Sequence, residues 1–429
     1  MIVGGSPRAI GRAGAGTVGD DGGGALLVNP AALARRDTTR AQVGVGVIDD
    51  TIVWQRYVDG APNANDQAGS VALPFVAIEG GIGDWVLGVA AMTSTASQRA
   101  FRRPGRIPPD SFMNAFDYRY AGLASSQRRD TITLGIARRF GDALAVGVSV
   151  AGSRVGLTEA RRLWAGFVGR TEVVGDPAHD VELGMTAMDP FNPSIVAGVL
   201  LAPPDTRVEL AASVGWTRSA HVQGDVSASG TSPAVNVEAQ HPSARLDLRE
   251  PLTLRTGARW LGERWIAEVD GDLWLFPAAA DTASWELQGL RVVDTSGVGV
   301  DLRTLPSRAS SRTHGAMRGA LDVELIAGFL WATAGYAVTT AGTSNGRLSP
   351  TFGDLGGHTL GLGLETNAGG FTITLGWART WSIKQSAPTS GWRLDNPFGT
   401  GDGEVPAGNY DGSSDMIGIV IDAELSSVK

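Results

Sequence analysis

Few residues in this chain have the spacing of a reaction centre. Gly14-Ala-Gly16-Thr-Val-Gly19 has the glycine spacing of a dinucleotide loop, and Gly342-Thr-Ser344-Asn-Gly346 that of a nucleophile elbow. A dinucleotide loop needs a strand to deliver it and a helix to open behind it. Here more glycines and Asn29-Pro30 follow, with no helical period. An elbow needs a helix after its serine and His and acid partners, but Arg347-Leu-Ser-Pro350 comes next. The five histidines, His179, His221, His241, His314 and His358, form no metal-ligand pair. The sequence therefore points to no enzyme and to no cofactor. An acidic stretch near the end carries Asp395, Asp402, Glu404 and Asp411. These are a weak Ca²⁺ candidate without EF-hand spacing, and the stretch reads as a solvated loop.

One stretch has the chemistry of apolar capture. Leu163, Trp164, Phe167 and Val168 fall at i, i+1, i+4 and i+5 beside Arg161 and Arg162, which predicts a helix. Met185, Met188 and Phe191 lie downstream. The apolar side either packs on neighbouring loops or offers a greasy patch to hydrophobic substrate. Which it does depends on the elements that hold it.

Those elements are strands. Phe371-Thr-Ile-Thr-Leu-Gly-Trp-Ala-Arg-Thr-Trp381 puts Phe371, Ile373, Leu375 and Trp377 on one face and Thr372, Thr374, Gly376 and Ala378 on the other. Segments of this period recur over residues 42–56, 70–80, 84–95, 130–140, 143–156, 193–202, 206–219 and 252–261. They continue over 264–276, 315–327, 330–341, 357–366, 370–382 and 414–426. That makes fourteen, an even number, as a closed bacterial barrel requires. Long connections alternate strictly with tight glycine-rich turns, which sends every long loop to one end. Outer-membrane barrels show that asymmetry.

The faces favour a membrane. One is Val, Leu, Ile and Trp; the other carries Glu209, Arg255, Arg259, Glu268, Asp270, Asp272, Arg318, Asp322, Glu365 and Asp422. So many charges do not fit the core of a soluble sandwich, and fourteen strands make a barrel too wide to fill with their own side chains. No run approaches the ~18 apolar residues of a spanning helix. With no cysteine and a net charge of -8, neither disulfides nor nucleic acid enter the account.

Ahead of the strands lies Gly11-Arg-Ala-Gly-Ala-Gly-Thr-Val-Gly-Asp-Asp-Gly-Gly-Gly-Ala-Leu-Leu-Val-Asn-Pro-Ala31, too rich in glycine for a helix and without strand alternation. Its pattern, Gly-Arg-Ala…Gly…Asp-Asp…Asn-Pro-Ala, resembles the N-terminal hatch of the FadL family. These are outer-membrane channels for long-chain fatty acids and other hydrophobic compounds. The resemblance is specific over residues 9–34 and diffuse beyond them. It implies an all-β transmembrane antiparallel barrel, residues 41–429, plugged by a hatch, residues 1–40, with Asn29, Pro30 and Ala31 as hatch and gating residues. It also implies passive uptake of hydrophobic molecules, contact with outer-membrane lipid and lipopolysaccharide, and periplasmic termini in a Gram-negative bacterium. A barrel of this fold serving as a platform for other envelope proteins is the alternative. Two features depart from the family's expectation. Met1-Ile-Val-Gly-Gly lacks the form of a signal peptide, and Glu424-Leu-Ser-Ser-Val-Lys429 lacks a terminal aromatic. Arg8, Arg12, Arg35 and Arg36 in the hatch are expected to pair with lumenal acids.

Overall fold

Strands with one apolar and one polar face satisfy two environments, and leave no unpaired edge, when they close into a ring. The computed structural model describes residues 6–35, 38–56, 63–102, 118–166, 175–387, 395–399 and 408–425, and it shows that ring. Its fourteen antiparallel strands begin with β1 (Thr39–Arg56), β2 (Val71–Ile82), β3 (Trp85–Ala100), β4 (Ala124–Phe140) and β5 (Leu144–Trp164). Next come β6 (Asp180–Leu201), β7 (Val208–Thr217), β8 (Leu252–Leu261), β9 (Trp265–Leu275) and β10 (His314–Ile326). The last four are β11 (Leu330–Thr339), β12 (Gly357–Ala368), β13 (Phe371–Ser382) and β14 (Gly408–Leu425). Each pairs with its sequence neighbour, and β14 closes on β1 from Thr39↔Leu425 to Arg56↔Gly408. The tight turns lie at the expected end. Gly141 and Gly369 turn there with φ of +62° and +59°, a region open to glycine at little cost.

The outer face of the barrel is an apolar belt. Leu144, Val146, Val148, Leu210, Val214 and Leu375 are all exposed, Leu375 at 48%, whereas the neighbouring Thr374 is buried at 8%. A water-facing surface of this extent would be an aggregation site; hydrocarbon is its natural solvent.

At the long-loop end the structure differs from the sequence reading. β5 and β6 run on as a tall hairpin to Trp164 and from Asp180, so the expected helix near Leu163 is strand. Beyond Met188 towards its outer end, β6 leaves β7 and pairs with a further strand, Ala220–Gly230. Val235–Leu248 and Ser284–Asp294 extend this sheet. Stretches expected as loops are thus a folded cap. Its dry core joins Val155, Leu157 and Leu163 to Val222, Trp285 and Leu287. On the other face of β5, Trp164 packs with Tyr120 and Ala121. Both faces of the extension are covered, so consecutive residues are apolar. That pattern imitated a helical stripe.

Candidate functional site

The N-terminal segment lies inside the ring. Two short helices, α1 (Arg8–Gly11) and α2 (Ala25–Val28), and the 3₁₀ turn Pro30–Arg35 are joined by buried glycine-rich chain. With so little regular structure, its backbone groups must find partners elsewhere, and the barrel wall supplies them. Gly16 and Thr17 amides donate to Asp270 Oδ2 at 2.7 and 2.9 Å, and Val18 and Gly19 amides to Glu268 Oε1 at 2.9 and 3.1 Å. Ser149 and Ser213 hydroxyls donate to the Leu26 and Val28 carbonyls, each at 2.6 Å. Arg12 bonds Glu268 at 2.5 Å and Asp322 at 2.8 Å. Arg8 pairs with Glu365 at 3.0 Å and Arg35 with Glu209 at 2.7 Å; Arg36 lies outside the described residues. Burial also holds the carboxyl of Asp20 above its ordinary range.

Asn29, Pro30 and Ala31 sit at the wall contact. Asn29 is fully buried. Its Nδ2 donates to the Thr17 and Val199 carbonyls at 3.0 and 3.3 Å, and its Oδ1 accepts the Ala31 amide at 3.2 Å. The wall makes room with glycine. A Cβ on Gly147 would collide with Pro30 and Ala31, and one on Gly198 with the Asn29 side chain.

Above this segment the wall is interrupted. The β2–β3 ladder stops at Phe75↔Met92, so Val71–Pro74 pair with β1 alone and Thr93–Arg99 of β3 with β4 alone, until Ala100 is met by Asp66 and Gln67. Pro74, which has no N–H for a ladder, stands at the parting, and a bulge interrupts β3 between Thr93 and Thr95. A cavity of about 1180 Å³ opens there on the outer face, with a predominantly apolar lining that includes Phe75, Met92, Ile132, Leu134 and Ile195. On the lumenal side a space of about 40 Å³ lies between Pro7, Ile10, Leu73 and Met416. The two share Pro74, Phe75, Met92 and Thr93 in their linings, so these four residues lie between the lumenal space and the outer face. None of them featured in the sequence reading, although a proline inside a period-two segment was the available signal.

The expected capture patch is not assembled as a surface. Leu163, Trp164 and Met185 are buried within the cap, Met188 and Phe191 are exposed on β6, and Phe167 lies outside the described residues. Beneath the cap runs an ionic network. Arg119 meets Asp180 at 2.8 Å, Arg161 meets Glu159 at 3.1 Å, and Arg308 meets Asp395 at 3.0 Å. Burial, and then the neighbouring Arg161, push the Arg308 guanidinium down to about 10.

The remaining motifs stay apart. Asp395 is engaged by Arg161 and Arg308, and Asp411 by Lys384 at 3.1 Å, while Asp402 and Glu404 lie outside the described residues. Among the described residues no cluster of three or more acidic or histidine side chains is placed to hold a metal ion. Ser344 precedes a single 3₁₀ turn, Asn345–Arg347, in place of a strand-to-helix elbow.

No family model matches this sequence, and no curated protein does. Solved structures do. A FadL homologue of Pseudomonas aeruginosa superposes with a TM-score of 0.73 at 15% identity, covering 98% of each chain. The toluene transporter TodX of P. putida gives 0.67 at 14% identity, covering 97% of this chain and 99% of its own. The monoaromatic hydrocarbon channel CymD gives 0.66 at 12%, covering 99% and 98%. At such identities the likeness establishes the fold, which is FadL-like over nearly the whole chain.

Proposed function

We propose that this chain, a fourteen-stranded barrel of FadL-like fold, is an outer-membrane channel for passive uptake of hydrophobic molecules. In this reading the short turns and both strand ends, Thr39 and Leu425, face the periplasm, and the lumenal segment is a plug. The observation that carries it is the break in the wall between β2 and β3, with apolar space on both sides. A hydrophobic solute gains about 0.8 kcal/mol for each methylene kept out of water. A path from the lumen sideways into hydrocarbon never returns it to water, whereas a path through the plug crosses buried ion pairs.

Passage requires movement. The lumenal space is too small for a cargo molecule, so Phe75, Met92 or the plug must shift. Met92 suits that task, being unbranched and tolerant of many shapes. The cargo class is long-chain fatty acids or compact aromatic hydrocarbons, the latter being what TodX and CymD are named for.

The test is uptake of radiolabelled palmitate and of toluene by cells whose own channels are deleted. Expression of this chain should accelerate at least one of them, and Met92→Trp, which fills the break, should slow it severalfold while the barrel still folds. Normal uptake by that variant would rule out the sideways path. No uptake by the intact chain, together with a tightly co-purifying envelope protein, would establish the platform alternative.

A further inference from the structure

The cavity on the outer face of the break has a charged end. Its floor is the exposed apolar row of Val76, Ile132, Leu134, Val150, Ile195 and Trp216. At the long-loop side the same cavity is lined by Asp130 and Arg154, where β5 bulges between Ser153 and Val155. The other charges at that rim are already matched. Arg128 pairs with Asp130 at 2.9 Å, and Arg218 with Asp189 at 3.0 Å. Asp130 stands opposite Arg154 in the β4–β5 register, but its Oδ1 also accepts the Thr93 hydroxyl at 2.6 Å. Exposed Arg154 has Met188 Sδ, at 2.8 Å, as its hydrogen-bond partner and no carboxylate among the described residues.

An unmatched guanidinium at the head of an apolar groove is complementary to one kind of molecule, an acyl chain with an anionic head group. A bare hydrocarbon has no use for the charge, and a soluble anion none for the groove. We propose that an anionic membrane lipid occupies this groove, its acyl chain along the apolar floor and its head group on Arg154. The lipid then covers the break from outside and gives way when cargo emerges. This rests on the barrel residing in a membrane, and it does not require that transport occur. A single basic residue at a membrane surface contributes roughly fivefold to binding of anionic lipid.

The experiment uses the full chain in nanodiscs of equal phosphatidylglycerol and phosphatidylcholine, with lipids released from the protein counted by native mass spectrometry. Phosphatidylglycerol should be retained about fivefold over phosphatidylcholine. That preference should vanish in Arg154→Gln and survive in Arg303→Gln, a change to an exposed cap arginine. Equal retention of the two lipids by the unaltered chain, or an undiminished preference in Arg154→Gln, overturns the proposal. So does a preference confined to added palmitate and lost with Arg154, because the groove is then an exit for carboxylate cargo. An Arg154-dependent lipid preference in a chain that moves neither palmitate nor toluene upholds this proposal and removes the transport reading alone.

Discussion

Arg12 shows how much one side chain does here. It is almost wholly buried, and it bridges β9 and β10 through Glu268 and Asp322 while Glu268 also receives two amides of the lumenal segment. Removing one partner of a buried ion pair costs about 3–5 kcal/mol, because the other is left charged and dry. Arg12→Ala is therefore expected to loosen the segment without unfolding the ring, raising single-channel conductance in planar bilayers. Arg12→Met combined with Glu268→Gln and Asp322→Leu leaves no orphaned charge at the bridge, keeps an amide oxygen to accept the Val18 and Gly19 amides, and should leak less than Arg12→Ala alone. Conductance rising step by step with each substitution would contradict the bridge. Leu375 and Thr374 test the wall at the same scale. Leu375→Arg should lower barrel stability in urea by about 2–4 kcal/mol, and Thr374→Arg far less. Equal losses would mean the belt does not face lipid.

Elements were legible in the sequence wherever one face met one environment. The fourteen strands of the ring follow from period two, because each has a solvated or polar inner face and an apolar outer one. The cap was not legible for the opposite reason. In the top of β5 both faces are covered, so Leu163 and Trp164, side by side, are each fully buried, and the alternation that marks a strand is lost. The inward acids could be named from their parity, but not which backbone amides they would receive, since Gly16 to Gly19 lie some 250 positions away in the chain. A consequence follows for the apolar residues first read as a capture patch. Trp164→Ser should destabilise the cap by about 3–5 kcal/mol, as deletion of a buried tryptophan does, and expose it to protease. Phe191→Ser, on the open surface, should leave protease resistance unchanged. Matching protease profiles would show that Trp164 does not support the cap. Deletion of residues 1–33 belongs to this scale too. Every strand of the ring pairs with both of its neighbours over part of its length, so the ring should still fold, with ion conductance well above that of the intact chain. Unchanged conductance would mean the segment is no plug.

For the molecule as a whole, the seam between β14 and β1 has a consequence for assembly. It joins residues more than 350 positions apart over eighteen consecutive pairs, so it is the most non-local contact in the ring, and such contacts form late. The lumenal segment precedes β1, yet its strongest partners, Glu268, Asp270 and Asp322, lie on β9 and β10. Those strands exist before the seam can zip. An open, curled sheet with the segment already bound along its concave side is therefore the natural precursor, and the seam then shuts around its contents as a staved cask closes on what is packed in it. Pulse-labelled refolding in detergent should show Asn29 protected from hydrogen exchange before Val45 and Ile419 of the seam; the reverse order would mean the segment threads into a finished ring.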